Sequence, residues 1–301
     1  MKCRVCREPA VIDIRRHNAG FCHPCFVKHC ADQVERAIDS YKMFDRQDRI
    51  LVAVSGGKDS LALWDLLLRL GYQADGLYLG LGIGTYSDES GSCARAFAGS
   101  RSAHLVEVDL PATFGYDIPT GSAAARRAPC SACGLSKRHL FNSVALERGY
   151  QVVATGHNLD DEAAVLFGNV LRWDLGYLGR QHPVLPGGEG FVRKVKPLVR
   201  LGEREMAAYC VLEGIDYIVE ECPMAEGNRH LGYKSALNDI EATSPGSKAA
   251  FLFGFLDRIS PLVQETAVAE RQDLHPCPKC GSPTVAEICA FCKLVERASS
   301  R

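Results

Sequence analysis

Lys58 stands behind two glycines and between two hydroxyls in Ser55-Gly56-Gly57-Lys58-Asp59-Ser60, a run suited to gripping phosphate. Glycines let a backbone approach an oxyanion, and the unpaired amides of a starting helix add donors and the positive end of a dipole. Lys58 supplies a point charge, while Ser55 and Ser60 supply hydroxyl donors. The Walker A loop is excluded, because it needs four residues between its glycines and Ser or Thr after the lysine, where this chain has Asp59. A second polar run, Thr155-Gly156-His157-Asn158-Leu159-Asp160-Asp161-Glu162, is expected where a strand meets a helix. Acids at such a place cap the helix, and beside a triphosphate they are also the usual magnesium ligands. Gly80-Leu81-Gly82-Ile83-Gly84 has the wrong spacing for a dinucleotide fingerprint and reads as a turn at the edge of the nucleotide pocket.

The chain has fourteen cysteines. No apolar leader follows Met1-Lys2-Cys3-Arg4, so the expected compartment is the reducing cytoplasm, where cysteines point to metal or catalysis. Cys3-x2-Cys6 and Cys22-x2-Cys25 enclose fifteen residues, and Cys277-x2-Cys280 and Cys289-x2-Cys292 enclose eight; each set predicts a four-thiolate zinc site. His23 and His275 adjoin these ligands and read as solvent-exposed imidazoles. Pro129-Cys130-Ser131-Ala132-Cys133-Gly134 opens a helical run, and by itself is redox-active, zinc-binding or structural. Cys222, in Glu221-Cys222-Pro223, is either a third ligand, proline being common beside iron–sulfur cysteines, or a small buried hydrophobe. Cys30, Cys93 and Cys210 are left as structural thiols.

These groups need a scaffold. Strands are expected over 50–54, 76–81, 104–108, 151–154 and 192–195, with helices over 60–70, 135–147 and 160–171. Such alternation predicts a doubly wound α/β fold, which binds ligands beyond the carboxyl ends of its strands, where the 55–60 loop sits. A helix over 33–44 leads in from the first cysteine module, helical stretches at 201–212 and 249–259 extend the centre, and a polar link covers 269–275. The expected domains are therefore 1–32, 33–268 and 269–301. Composition, 47% hydrophobic and 24% charged, suits a globular chain with one large core. The apolar stretch at 61–70 is broken by Asp65 and Arg69 and is too short to span a bilayer, so no membrane partner is expected. A net charge of −1 offers no global field for nucleic acid and leaves local patches. The candidates are Arg15, Arg16, Lys279 and Lys293 in the end modules and Arg126, Arg127, Arg138, Arg193, Lys194 and Lys196 between them. The N-terminal module is expected both to staple the fold and to meet RNA.

The 55–60 loop resembles the PP-loop of ATP pyrophosphatases, which cleave ATP to AMP and pyrophosphate while adenylating a substrate. Adding PC-x-x-CG-x-x-KR, TGHN-x-DD, Glu221-Cys222-Pro223 and a cysteine module at each end, nearly the whole chain resembles the TtuA-type tRNA 2-thiouridine synthetases. The resemblance implies a mostly parallel doubly wound sheet flanked by two zinc ribbons. It implies that ATP and magnesium are held among Ala53, Ser55, Gly56, Gly57, Lys58, Asp59, Ser60, Leu79, Lys137, Gly156 and Asp161. It further implies a 4Fe-4S cluster on Cys130, Cys133 and Cys222, with Asp59, Lys137, Asp161, Cys130 and Cys133 catalytic. A uracil 2-oxygen is a poor leaving group; in this family ATP adenylates it, on T-loop 5-methyluridine here, and a sulfide held on the cluster displaces AMP. The implied partners are tRNA, a ubiquitin-like sulfur carrier ending in a thiocarboxylate, and a second copy of the chain. Wobble-uridine thiolation by the same chemistry is one alternative, and a PP-loop ligase or amidotransferase without a cluster is another. The complete nucleotide loop argues against a non-catalytic zinc-ribbon RNA binder. One departure is Met224-Ala225-Glu226, less basic than expected near tRNA.

Overall fold

The computed structural model describes residues 1–225, 229–263 and 274–299. The first cysteine module is a hairpin of β1 (Ile12–Ile14) and β2 (Ala19–Phe21), followed by α1 (His23–Tyr41). Cys22 is the N-cap of α1 and Pro24 lies in its first turn, where a missing N–H costs no hydrogen bond. The helix expected over 33–44 therefore begins inside the module and runs across the expected boundary at 32/33.

The centre follows as β3 (Arg49–Val54), α2 (Lys58–Arg69), β4 (Gln73–Gly80), α3 (Gly84–Arg101), β5 (Leu105–Asp109), α4 (Leu110–Phe114) and α5 (Ile118–Ala124). It continues with α6 (Pro129–Glu147), β6 (Val152–Thr155), α7 (Leu159–Arg172), α8 (Leu175–Gly179), β7 (Val184–Leu185) and β8 (Arg193–Val195). Next come α9 (Glu203–Leu212), α10 (Arg229–Thr243) and α11 (Ser247–Arg258), and the second cysteine module comprises β9 (His275–Pro276), β10 (Pro283–Thr284) and α12 (Ala290–Ser299). Glu226 and most of the 269–275 link lie outside the described residues.

Six strands form one sheet in the order β5-β4-β3-β6-β8-β7, parallel throughout except for β7 at the edge. This is the expected doubly wound, mostly parallel architecture. Both faces are covered, and the strands divide their side chains accordingly: Ile50, Val52 and Val54 join one apolar cluster, Leu51 and Val153 the other. Trp64 on α2 packs flat on β4 and donates from Nε1 to the Ala74 carbonyl at 2.9 Å. Gly76 makes room for it, since a Cβ there would lie 2.5 Å from the indole ring. Chain direction across the sheet reverses between β3 and β6, and the loops leaving those two strands open at this switch point.

Candidate active site

The loop leaving β3 is closed by its own hydroxyls. Ser60 Oγ donates to the Gly57 carbonyl at 2.9 Å and accepts from the Ser55 amide at 3.1 Å. Gly56 has φ +76°, and a Cβ on it would fall 2.2 Å from the Ser90 carbonyl oxygen, so only glycine fits. Gly57 caps α2 without any side-chain hydrogen bond, which leaves the first amides of that helix available to an anion. Cys210 lies buried behind the loop with its thiol on the Lys58 carbonyl at 3.4 Å, and burial pushes that thiol up to about 12.

The loop leaving β6 folds onto the first. Asn158 is fully buried and caps α7: its Oδ1 accepts from the Asp160 and Asp161 amides at 2.9 and 3.1 Å. Asp161 completes the box by accepting from the Asn158 amide at 3.1 Å. The remaining Asn158 donor reaches Asp59 Oδ1 at 3.0 Å and joins the two loops. Gly156 permits the approach, since a Cβ would sit 2.9 Å from the Ser60 amide nitrogen. Asp160 faces elsewhere, capping α9 through the Glu203 amide at 2.8 Å and pairing with Lys248.

Charge is concentrated here. Lys58 Nζ contacts Glu203 at 2.8 Å and Asp59 at 3.2 Å, while Lys234 Nζ contacts Asp161 at 2.6 Å and Glu203 at 3.1 Å. Burial and the neighbouring Asp161 raise the Asp59 carboxyl, against the pull of Lys58 and Asn158. Burial works against the Glu203 carboxylate too, but the two lysines outweigh it and draw the carboxyl down to about 2. Asp59 and Asp161 together form a hard oxygen pair of the kind that holds magnesium.

A cavity beside the first loop is lined by Ala53, Ser55, Leu79, Tyr86, Lys137 and Phe141. Lys137 also faces Cys133, whose thiol is raised by burial and by the Cys222 and Cys130 sulfurs and is drawn back by the lysine. Burial, with Cys222 and Cys133 in the neighbourhood, likewise raises the Tyr86 hydroxyl. The chain thus brings Cys222 to the Cys130/Cys133 pair at the start of α6, with Cys130 Sγ against the Met224 carbonyl at 3.2 Å. A larger cavity of about 580 Å³ lies on the other side of Lys58, between Arg15, Arg16 and α9, and contains none of the three central cysteines.

A family model for the N-terminal LIM domain of the 2-thiouridine synthetase TtuA matches residues 2–27. A tRNA-5-methyluridine(54) 2-sulfurtransferase of Thermus thermophilus is 49% identical over 98% of this chain and 91% of its own. The chain belongs to the TtuA-type tRNA 2-thiouridine synthetases. A second relative with the same description, from Pyrococcus horikoshii, is 41% identical over 97% of this chain and 93% of its own. The fold matches that of the U34-tRNA thiolase NcsA from Methanococcus maripaludis, solved with its 4Fe-4S cluster, at a TM-score of 0.80. That match covers 98% of this chain and 96% of the other at 24% identity. This enzyme is accordingly a tRNA sulfurtransferase of the 2-thiolating kind.

In this synthetase the end modules gather their cysteines as the spacing predicts. Cys3, Cys6, Cys22 and Cys25 have sulfurs within 4.8 Å of one another, as do Cys277, Cys280, Cys289 and Cys292. Tetrahedral ligands about 2.3 Å from zinc stand about 3.8 Å apart, so both sets fit one ion. Burial works to raise the Cys3 thiol, but the backbone amides of Cys22, Cys6 and Val5 outweigh it and bring the thiol down to about 6. The Cys289 amide leads the same effect at Cys277, also to about 6. His23 and His275 are both exposed, as expected, and His23 pairs with Glu213 at 2.8 Å.

The basic candidates separate by partner. Arg16 pairs with Glu205 at 2.7 Å, Lys196 with buried Glu162 at 2.6 Å, Lys279 with Glu296, and Arg193 donates to the Met43 carbonyl at 3.2 Å. Arg127 and Lys293 share a cleft with Arg297 near the entrance to α6. Lys194 is half-buried, and burial with nearby Arg138 lowers it. The sequence reading missed Glu203 and Lys234, which reach the site from α9 and α10. The signal available for Glu203 was its place in the first turn of a helix, where acids are common and rarely informative.

Proposed function

We propose that this enzyme replaces the 2-oxygen of 5-methyluridine at position 54 of tRNA with sulfur, after activating that oxygen with ATP. The relatives at 49% and 41% identity, described as tRNA-5-methyluridine(54) 2-sulfurtransferases, support this position over the wobble uridine, because the U34-tRNA thiolase NcsA is only 24% identical. The observation carrying the chemistry is that Lys137 lines the loop cavity and also faces Cys133, so activation and sulfur delivery adjoin at this one side chain.

In this reading Ala53 and Leu79 border the adenosine, the α2 amides with Ser55, Gly56, Gly57, Lys58 and Ser60 bind phosphates, and Asp59 and Asp161 hold magnesium. Gly156 keeps the second loop close to the first. The uridine oxygen attacks the α-phosphorus, pyrophosphate leaves, and sulfur then displaces AMP at C2. Lys137 neutralises the phosphate as the bonds change. Cys130, Cys133 and Cys222 form a more open set than the single-ion cages at the chain ends and suit a 4Fe-4S group, which when bound supplies a thiophilic site for sulfide. Zinc in the two terminal sets keeps the modules around Cys3–Cys25 and Cys277–Cys292 folded against the catalytic domain. A thiocarboxylate-bearing ubiquitin-like carrier, a homodimer and a cytoplasmic setting are proposed on family resemblance, and no helix among the described residues is long and apolar enough to cross a membrane.

The test is nucleoside mass spectrometry of tRNA incubated with reconstituted enzyme, ATP and sulfide. Cys222→Ser is expected to lose the cluster's visible absorption and 2-thiolation while still binding ATP. Full thiolation by that variant would remove the cluster from the mechanism.

A further inference from the structure

Helix α10 carries no motif, yet it places a lysine on the carboxylate that holds Lys58 of the phosphate loop. Tyr233 fixes its register: the ring packs where Gly168 of α7 has no side chain, a Cβ there falling 2.6 Å from it, and stands edge-on to Phe167 at 5.8 Å. The next residue, Lys234, reaches the first turn of α7 and spans two carboxylates, Asp161 at 2.6 Å and Glu203 at 3.1 Å. The other oxygen of Glu203 holds Lys58 at 2.8 Å. Two ammonium groups, one from the loop and one from α10, are therefore gathered on one carboxylate at the mouth of the loop.

We propose that Lys234 is a second phosphate-binding lysine, which grips the departing pyrophosphate, and that Glu203 is the carboxylate a triphosphate displaces from both lysines. The inference rests on the ATP-dependent reading given above. A lysine with only a structural role needs one partner away from the chemistry. Lys234 instead uses two carboxylates of the site, one of them, Asp161, assigned to the metal. Lysine is a compact cation on a mobile stem, suited to moving from carboxylate to phosphate without moving its helix. With side-chain exposures of 22% and 23%, Lys58 and Lys234 stand where a charge-assisted bond to phosphate is poorly screened. Glu203, at 39%, is the more exposed partner and can turn toward water when phosphate takes its place.

The experiment is equilibrium binding of ATP, pyrophosphate and AMP, with magnesium, to the full-length protein loaded with zinc and cluster. Lys234→Met is expected to weaken ATP and pyrophosphate by about 10- to 100-fold, the worth of one hydrogen bond to a charged group, and AMP by less than about 2-fold. Lys234→Arg is expected to recover most of the loss. Glu203→Gln, which keeps shape and drops charge, is expected to tighten pyrophosphate. If Lys234→Met binds all three ligands like the wild type, or weakens all three equally, Lys234 is a packing residue and the proposal fails. Weaker pyrophosphate binding by Glu203→Gln would overturn the displacement. A wild-type protein that binds no ATP would instead defeat the reading beneath, so the two failures are distinguishable.

Discussion

Asn158 shows how much of this site rests on one amide. Its oxygen takes two helix amides and its nitrogen takes Asp59, so the side chain caps α7 and orients a proposed metal ligand together. Asn158→Ala should cost about 2 kcal/mol, a lost cap plus a broken bond to a charged group, read as a lower urea midpoint. The Asn158 bond also restrains the Asp59 carboxyl, which burial raises, so its loss should raise that group further. The acid limb of the pH–rate profile should then shift to higher pH, because Asp59 must be ionised to bind a cation. An unshifted limb would separate Asn158 from Asp59. The sequence made the two loops legible because each lies within eight consecutive residues and phosphate chemistry constrains its types. It hid their junction, since Asn158 and Asp59 are 99 residues apart and no local pattern encodes the bond. A cap was expected among the acids of the second loop; the structure gives the main part to Asn158, with Asp161 completing it.

At the scale of elements, the central strands were legible because burial on both faces makes continuous apolar runs, as in Ile50–Val54. Helix α3 was not. Its sequence is rich in Gly and Ser and has no apolar stripe, because small residues are what let it lie close to β4. A Cβ on Gly91 would stand 3.0 Å from the Tyr78 ring, and Ser90 Oγ meets the Tyr78 hydroxyl at 2.8 Å. Asp65 is the polar counterpart, legible only as a break in an apolar run. It is 1% exposed and accepts from Tyr209 Oη at 2.5 Å and from Arg69 Nε and Arg101 Nε, each at 2.6 Å, joining α2 to α9 and α3. Burial works against its charge, but these three donors outweigh it and hold the carboxyl below its usual range. Asp65→Ala takes the carboxylate from Arg101 and from the buried Tyr209 phenol and leaves Arg69 with Glu213 alone, which should cost about 3 kcal/mol in chemical denaturation. A loss below about 1 kcal/mol would mean that water replaces the carboxylate without penalty.

Over the whole molecule, the C-terminal cysteine module is part of the core beneath the helix that presents Cys130 and Cys133. Cys277, Cys289, Cys292 and Phe291 share an apolar cluster with Leu140 and Val144 of α6. Phe291 stacks on His139 with ring centres 3.9 Å apart and meets Phe114 edge-on at 5.2 Å. The cysteine spacing announced the module; its seat was hidden, because His139 and Phe291 are paired by docking and by no local signal. Burial lowers the His139 imidazole to about 4, so the folded state prefers the neutral ring. The unfolded chain takes up its proton near pH 6.5, and the preference therefore stabilises fully above that pH and is lost as pH falls toward about 4. The loss across this window, reduced by solvent reaching part of the ring, should be roughly 2–3 kcal/mol. His139→Phe keeps an aromatic face for Phe291 and removes the titration, so its denaturation midpoint should fall less than the wild type's between about pH 7 and pH 4.5. The cysteine thiols of the module titrate in both proteins, and only the difference between the two curves reports His139. Parallel curves would show that the imidazole is hydrated in the folded state and that acid acts on this end of the molecule through the thiolates alone.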